Sequence, residues 1–236
     1  MSATEATDTS RWARLTWQAG DPAAWAKTLG LRLGLTPRRL DGGAWRFDLG
    51  GELLDIVAWQ REGPKDELSA EGRLVLEPIS GGGAAPSPRP DAALTLAAVA
   101  WSTVELDRAE ADLDPWLRPA DATASDGDAP ADPHLGANAR RRRTAALPGG
   151  TIVFAEPNTE GRLAASLARD GEGPCALYLI AAGGLAAWTA DARARHVQVS
   201  AKRPGPLGLA VLVAGRTVAG PHILVVEPLG ASTIAP

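Results

Sequence analysis

Residues 152–180 read IVFAEPNTEGRLAASLARDGEGPCALYLI: an apolar run, a polar helix-like insert, and a second apolar run that opens with the chain's one cysteine, Cys175. Short apolar runs of this kind suit strands buried on both faces. The insert would then be a helical connector between two such strands. Two questions follow: which larger pattern the connector joins, and whether Cys175 is there for chemistry.

Outward from the connector, one order of elements recurs. Toward the C terminus come a strand from Cys175, a helix at 185–197, and strands near 197–202, 207–214 and 221–228. Toward the N terminus come a strand at 94–104 and a helix at 105–117 with Leu106, Ala109, Leu113 and Trp116 or Leu117 in a stripe. Strands at 139–147 and 151–157 follow. Further back, 11–18 has strand composition. Helix 21–34 begins with Asp21 as N-cap and Pro22 at its first position, and Asp-Gly-Gly and Gly-Gly breaks divide 36–60 into short strands before another at 72–79. A unit repeated three times outweighs any single motif. The expected organisation is a disordered tail at 1–10, an N-terminal βαβββ-like unit at 11–79, a Gly/Pro/Ser-rich linker at 80–92, and a paired βαβββ domain at 93–230.

Composition narrows the partners. The 236 residues are 45% hydrophobic and 22% charged, enough for a sizeable core. A net charge of −4 provides no field to gather phosphate backbones or an anionic membrane surface, so neither nucleic acid nor membrane is expected as a partner. No apolar run approaches the roughly 20 residues that span a bilayer. One cysteine forms no internal disulfide, and MSATEATDTSRW lacks the pattern of a secretory signal, which reads as cytoplasmic.

The βαβββ repeat resembles the vicinal oxygen chelate superfamily of glyoxalase I, bleomycin-resistance proteins, extradiol dioxygenases and methylmalonyl-CoA epimerase. The likeness is to epimerase-like members and rests on AVAWSTVELDRAEADL (98–113), GGTIVFAEPNTEGRLAASLARDGEGPCALYLI (149–180) and GPHILVVEP (220–228). It implies an α+β fold in which paired units form U-shaped mixed sheets with helices on the outer face. It also implies a divalent metal in the concave face, held by a His early in the first strand of a unit and an acid or amide late in its last strand. Here those positions fall on Ala98, Ala176, Val153 and Leu224, and Arg14 takes the first of them in the N-terminal unit. All but the arginine are apolar. No metal or other cofactor is therefore expected, and Cys175, beside a lost ligand position, reads as a small buried side chain.

If those positions face inward, strand alternation places Ser102, Thr151, Tyr178, Ile180, His222 and Val226 on the same concave face. His222 suits acid or base work and Tyr178 suits hydrogen-bond donation, although a lone His or Tyr also serves as a capped or core residue. The run Arg140–Arg143 alternates faces, so Arg141 and Arg143 are candidates to grip an acidic ligand, unless all four are solvated. The expected ligand-binding set is Ser102, Arg141, Arg143, Thr151, Tyr178 and His222. Trp45 and Trp59 are candidates for stacking on a flat ligand. The segment 118–138, including His134 with Asp126, Asp128 and Asp132, has no periodicity and reads as a solvated lid-forming loop.

Three functions stay open at this point. The first is metal-independent capture of a small organic molecule in the concave cavity, as glyoxalase-like resistance proteins do. The second is a cofactor-free isomerase, lyase or cyclase, and the third a partner-binding module with a filled cavity. Pairing of the N-terminal unit with a second copy, giving a homodimer, would cover an otherwise bare sheet edge.

Overall fold

Asp21 starts the first helix in the manner its sequence predicts: its side chain accepts a hydrogen bond from Ala24 N at 3.0 Å, Pro22 follows, and Gly34 ends the helix at φ 72°. The computed structural model describes residues 12–58, 73–78, 89, 91–115, 117, 127–144, 147–214 and 221–227. The N-terminal tail, residues 80–88 and 90 of the linker, Trp59, Trp116 and residues 118–126 lie outside the described residues.

The first unit runs β1 (Trp12–Ala19), α1 (Pro22–Leu33), β2 (Arg38–Arg39), β3 (Trp45–Leu49) and β4 (Glu52–Ala58), followed by β5 (Arg73–Pro78). These strands make one sheet in the order β2-β3-β4-β1-β5. The second unit runs β6 (Leu94–Ser102), α2 (Leu106–Leu113), β7 (Gly127–Asp132), β8 (Ala137–Arg143) and β9 (Thr151–Pro157). The connector α3 (Arg162–Asp170) leads to the third: β10 (Gly173–Ala181), α4 (Gly184–Ala194), β11 (Arg203–Gly205), β12 (Gly208–Leu212) and β13 (His222–Glu227). The second and third units share an eight-stranded mixed sheet, in the order β11-β12-β13-β10-β6-β9-β8-β7.

A local two-fold axis relates the two units of this sheet. The antiparallel pairs Ala98–Tyr178 and Ala100–Ala176 exchange about Val99–Leu177, and even the bulges match, at Ala97 in β6 and Cys175 in β10. Cys175 is thus the extra residue of a bulge. Strand β5 pairs antiparallel with β1, again with a register shift, between Trp12 and Arg14. It takes against β1 the place that β10 takes against β6. The β1 edge is therefore covered within the chain.

Two buried clusters separate the faces. One joins α1, α4 and the apolar side of the first sheet (Leu15, Trp17, Phe47, Ile56) to the outer face of the second (Val99, Ile152, Phe154, Leu177). Arg195, after α4, donates to the carbonyls of Leu31 and Arg32 at the end of α1 and ties the two sheets' helices together. The other cluster lines the concave face with small residues, Ala98, Ala100, Ala139, Ala155 and Ala176, around Tyr178, Leu212 and Leu224. Among the described residues, no helix is long and apolar enough to cross a membrane.

Three expectations change. Residues 127–132, read as solvated loop, form edge strand β7, and the turn after it is buried. Pro130 within the short strand, and Pro133 just after it, hide its alternation. Trp45 pairs with Ile56 and packs against the core cluster, so it faces away from any ligand on the concave side. The connector α3 is not on the outer face: Leu163 enters the concave cluster.

Candidate functional site

The concave groove has two unlike ends. At one end β10 and β13 begin and α3 lies across them. His222, 6% exposed, is hydrogen-bonded through Nε2 to Ser166 Oγ of α3 at 3.0 Å and also to the Arg162 backbone. Burial, reinforced by the charges of Arg162 and Arg169, pushes the imidazole down to about 4. It is neutral near pH 7 and clamps the helix. Ser102 Oγ donates to the carbonyls of Gly173 (3.0 Å) and Gly171 (3.4 Å), tying β6 to the turn before β10. Burial pushes the neighbouring Cys175 thiol up to about 12, so little reactive thiolate forms near neutrality.

Toward the middle, Tyr178 is fully buried and donates to Asp132 Oδ2 at 2.6 Å. The other oxygen, Oδ1, accepts the backbone N–H groups of His134 (2.8 Å) and Leu135 (3.1 Å). Burial first, then the negative Asp132, holds the Tyr178 hydroxyl well above its ordinary range, so it stays protonated. His134 Nε2 is 3.0 Å from Ala210 O of β12, and its Nδ1 is 3.3 Å from Ser200 Oγ. One short turn thus links the β7 edge across the groove to β12 and helps curl the sheet. Gly136 completes the turn at φ 71°, where a Cβ would stand 2.5 Å from Thr159 Oγ1. Leu135 and Leu163 fill the space beside Tyr178.

The other end is open. A cavity of about 230 Å³ is lined by Arg141 and Thr151 together with Ala97, Ile180, Leu207 and Val226. Arg141 pairs in register with Val153 and Arg143 with Thr151, so both arginines are on the concave side. Arg143 is exposed, beyond the cavity lining. Arg140 and Arg142 face the other way and meet acids of α2: Arg140 binds Asp107 (2.7 Å) and Glu110 (2.8 Å), and Arg142 binds Asp114. Among the described residues, Arg141 has no carboxylate within ion-pair distance.

The predicted set is therefore divided. Arg141 and Thr151 meet in the open cavity, Arg143 is exposed outside its lining, Tyr178 is enclosed, and His222 and Ser102 fasten the closed end. Asp132 and His134 were missed as organising residues, because a turn without periodicity gives no sign that it folds inward.

The positions that the family resemblance assigns to metal ligands do not fit one. Ala98, Val153, Ala176 and Leu224 are each fully buried among apolar side chains. Among the described residues, no group of three or more His, Cys, Asp or Glu is arranged to hold a metal ion. In the first unit, the place of Val153 and Leu224 is taken by Asp55, whose side chain is held by Arg46 through two 2.6 Å hydrogen bonds, with Arg14 at 3.6 Å. The carboxylate of Asp55 is thus taken up by guanidinium groups of the strands on either side. The lone Asp within LLDIVA was its sequence signal.

No family model matches the chain, and no curated protein does. Solved structures similar to it include methylmalonyl-CoA epimerase from Mycobacterium tuberculosis, at 19% identity over 60% of this chain and 93% of that one, with a TM-score of 0.48. A Streptomyces coelicolor methylmalonyl-CoA epimerase in complex with 2-nitronate-propionyl-CoA matches at 15% identity over 57% and 97% of the two chains, with a TM-score of 0.45. A hypothetical protein from Bacillus halodurans C-125 matches at 15% identity over 57% and 94%, with a TM-score of 0.44.

Proposed function

We propose that the protein binds a small organic molecule, without a metal, in the open end of the concave groove, and that it captures this molecule rather than converting it. The observation that carries the reading is the cavity of about 230 Å³, in which Arg141 and Thr151 stand as polar side chains among Ala97, Ile180, Pro206, Leu207 and Val226. A few polar groups in an apolar recess are the ordinary makeup of a small-molecule site. Capture is favoured over turnover because the acid–base candidates, Tyr178 and His222, are buried and already bonded to Asp132 and Ser166. Among the described residues that line the cavity, the polar side chains are suited to recognition and none is a general base.

A second reading draws on the filled half of the groove, where Leu135, Leu163 and Tyr178 leave no room: a module whose sheet serves partner binding only. The test is a fragment screen by NMR on the full chain, beside an Ile180→Trp variant that fills the cavity. Binding that shifts Thr151, Ile180 and Val226 in the parent protein and vanishes in the variant supports the proposal. Fragments that leave those residues unmoved would favour the second reading.

A further inference from the structure

The chain contains three versions of one cross-strand pair. In the first unit, Arg46 of β3 stands opposite Asp55 of β4, and Asp55 lies beside Thr16 of β1. In the second, Arg141 of β8 stands opposite Val153 of β9, and Val153 lies beside Ala100 of β6. In the third, Leu212 of β12 stands opposite Leu224 of β13, beside Tyr178 of β10. Arg46, Arg141 and Leu212 are therefore equivalent, as are Asp55, Val153 and Leu224. The first unit has both halves of an ion pair, the third has neither, and the second has only the guanidinium.

The complete pair identifies what a guanidinium at this position takes. Arg46 donates through Nε and a terminal nitrogen to the two oxygens of Asp55, a side-on bidentate grip on a carboxylate. In the second unit Val153 is fully buried and offers no acid, while Arg141 reaches the cavity instead. A half-buried guanidinium beside apolar walls gains from a partner that carries its own carboxylate.

Resting on the reading of this cavity as a binding site, we infer that its ligand is a small monocarboxylate. The carboxylate of the ligand takes the role at Arg141 that Asp55 has at Arg46, with Thr151 as a further hydrogen-bonding group. The hydrocarbon body lies against Ala97, Ile180, Leu207 and Val226. A cavity of about 230 Å³ falls below the roughly 300–1,000 Å³ usual for larger ligands, which limits the body to a short chain or one ring. One guanidinium calls for one negative charge.

The test titrates the full chain with hexanoate and benzoate, and with hexanamide and benzamide as neutral matches of the same shape. Chemical shifts of Thr151, Ile180 and Val226 locate binding, and the Arg141 Nε–H reports the grip. The expected result is that an acid binds in the cavity at least about 10-fold more tightly than its amide. Arg141→Met should remove that preference without unfolding the chain, and Arg141→Lys should restore only part of it, having charge without the planar fork. Amides that bind as well as acids, with Arg141→Met indifferent, would overturn the carboxylate inference and leave the cavity a binding site. If neither acids nor amides shift these residues, and broader fragments also leave them unmoved, the binding reading falls with it.

Discussion

The two ends of the concave groove use the same kinds of residue differently. At the closed end and in the middle, Tyr178, Asp132, His134, Ser166 and His222 bond to one another or to backbone and hold the sheet curled. At the open end, Arg141 has no carboxylate partner among the described residues and faces a cavity. The lesson is that a polar residue in a groove is not evidence of a ligand until its internal partners are counted. An enclosed polar group with partners maintains the fold, whereas a partly enclosed group without them has capacity left for a ligand.

The largest expected effect breaks the closed end. Asp132→Ala leaves three buried donors, Tyr178 O–H and the His134 and Leu135 N–H groups, without their acceptor. At about 1–3 kcal/mol for each stranded group, urea denaturation should show a loss of about 4 kcal/mol. Tyr178→Phe, which removes one of these bonds, should cost about 2 kcal/mol by the same measurement.

The next effect sharpens the contrast between equivalent arginines. Arg46→Met leaves Asp55 buried with only the more distant Arg14 nearby, and should cost about 3 kcal/mol. Arg141→Met removes a side chain that has no carboxylate partner among the described residues, so it should change stability by no more than about 0.5 kcal/mol. Equal losses at the two positions would mean that Arg141 has a structural role after all.

The third expectation concerns pH. His222 titrates near 4 when folded and near 6.5 when unfolded, so the unfolded chain binds more protons between those values. Stability is therefore complete above about pH 6.5 and declines as the pH falls toward 4, by at most about 3 kcal/mol. His222→Gln, which retains a side chain able to bond Ser166, should flatten this part of the curve relative to the parent. A parallel pair of curves would show that His222 does not drive the acid sensitivity. The smallest stability effect is expected from Ile180→Trp at the open end, where the cavity has room for the ring and only ligand binding should suffer.

Much of the architecture was legible in residues 94–228, because each unit announces itself by an apolar strand, an amphipathic helix and further strands. The alternation of Arg140–Arg143 also carried through, since side chains on a strand point to opposite faces in turn. The turn at 132–136 was not legible. Its residues look solvated one by one, and only the return of β12 across the sheet supplies the carbonyl that His134 meets. Asp55 was overlooked for a related reason, because its partner Arg46 lies on a neighbouring strand and the pairing depends on register.

By itself the sequence determined the repeated α+β units, the apolar character of the four positions that the resemblance assigns to ligands, and the alternation of Arg140–Arg143 between two faces. These follow from local periodicity and residue type, which act over a few neighbouring residues. Tertiary structure alone decided which polar residues are already satisfied, that α3 closes one end of the groove, and that Arg141, among the described residues, lacks the acid its equivalent Arg46 possesses. Those outcomes depend on register and on contacts between distant strands, where a single cross-strand neighbour turns a guanidinium from a fold-holding group into one with capacity for a ligand.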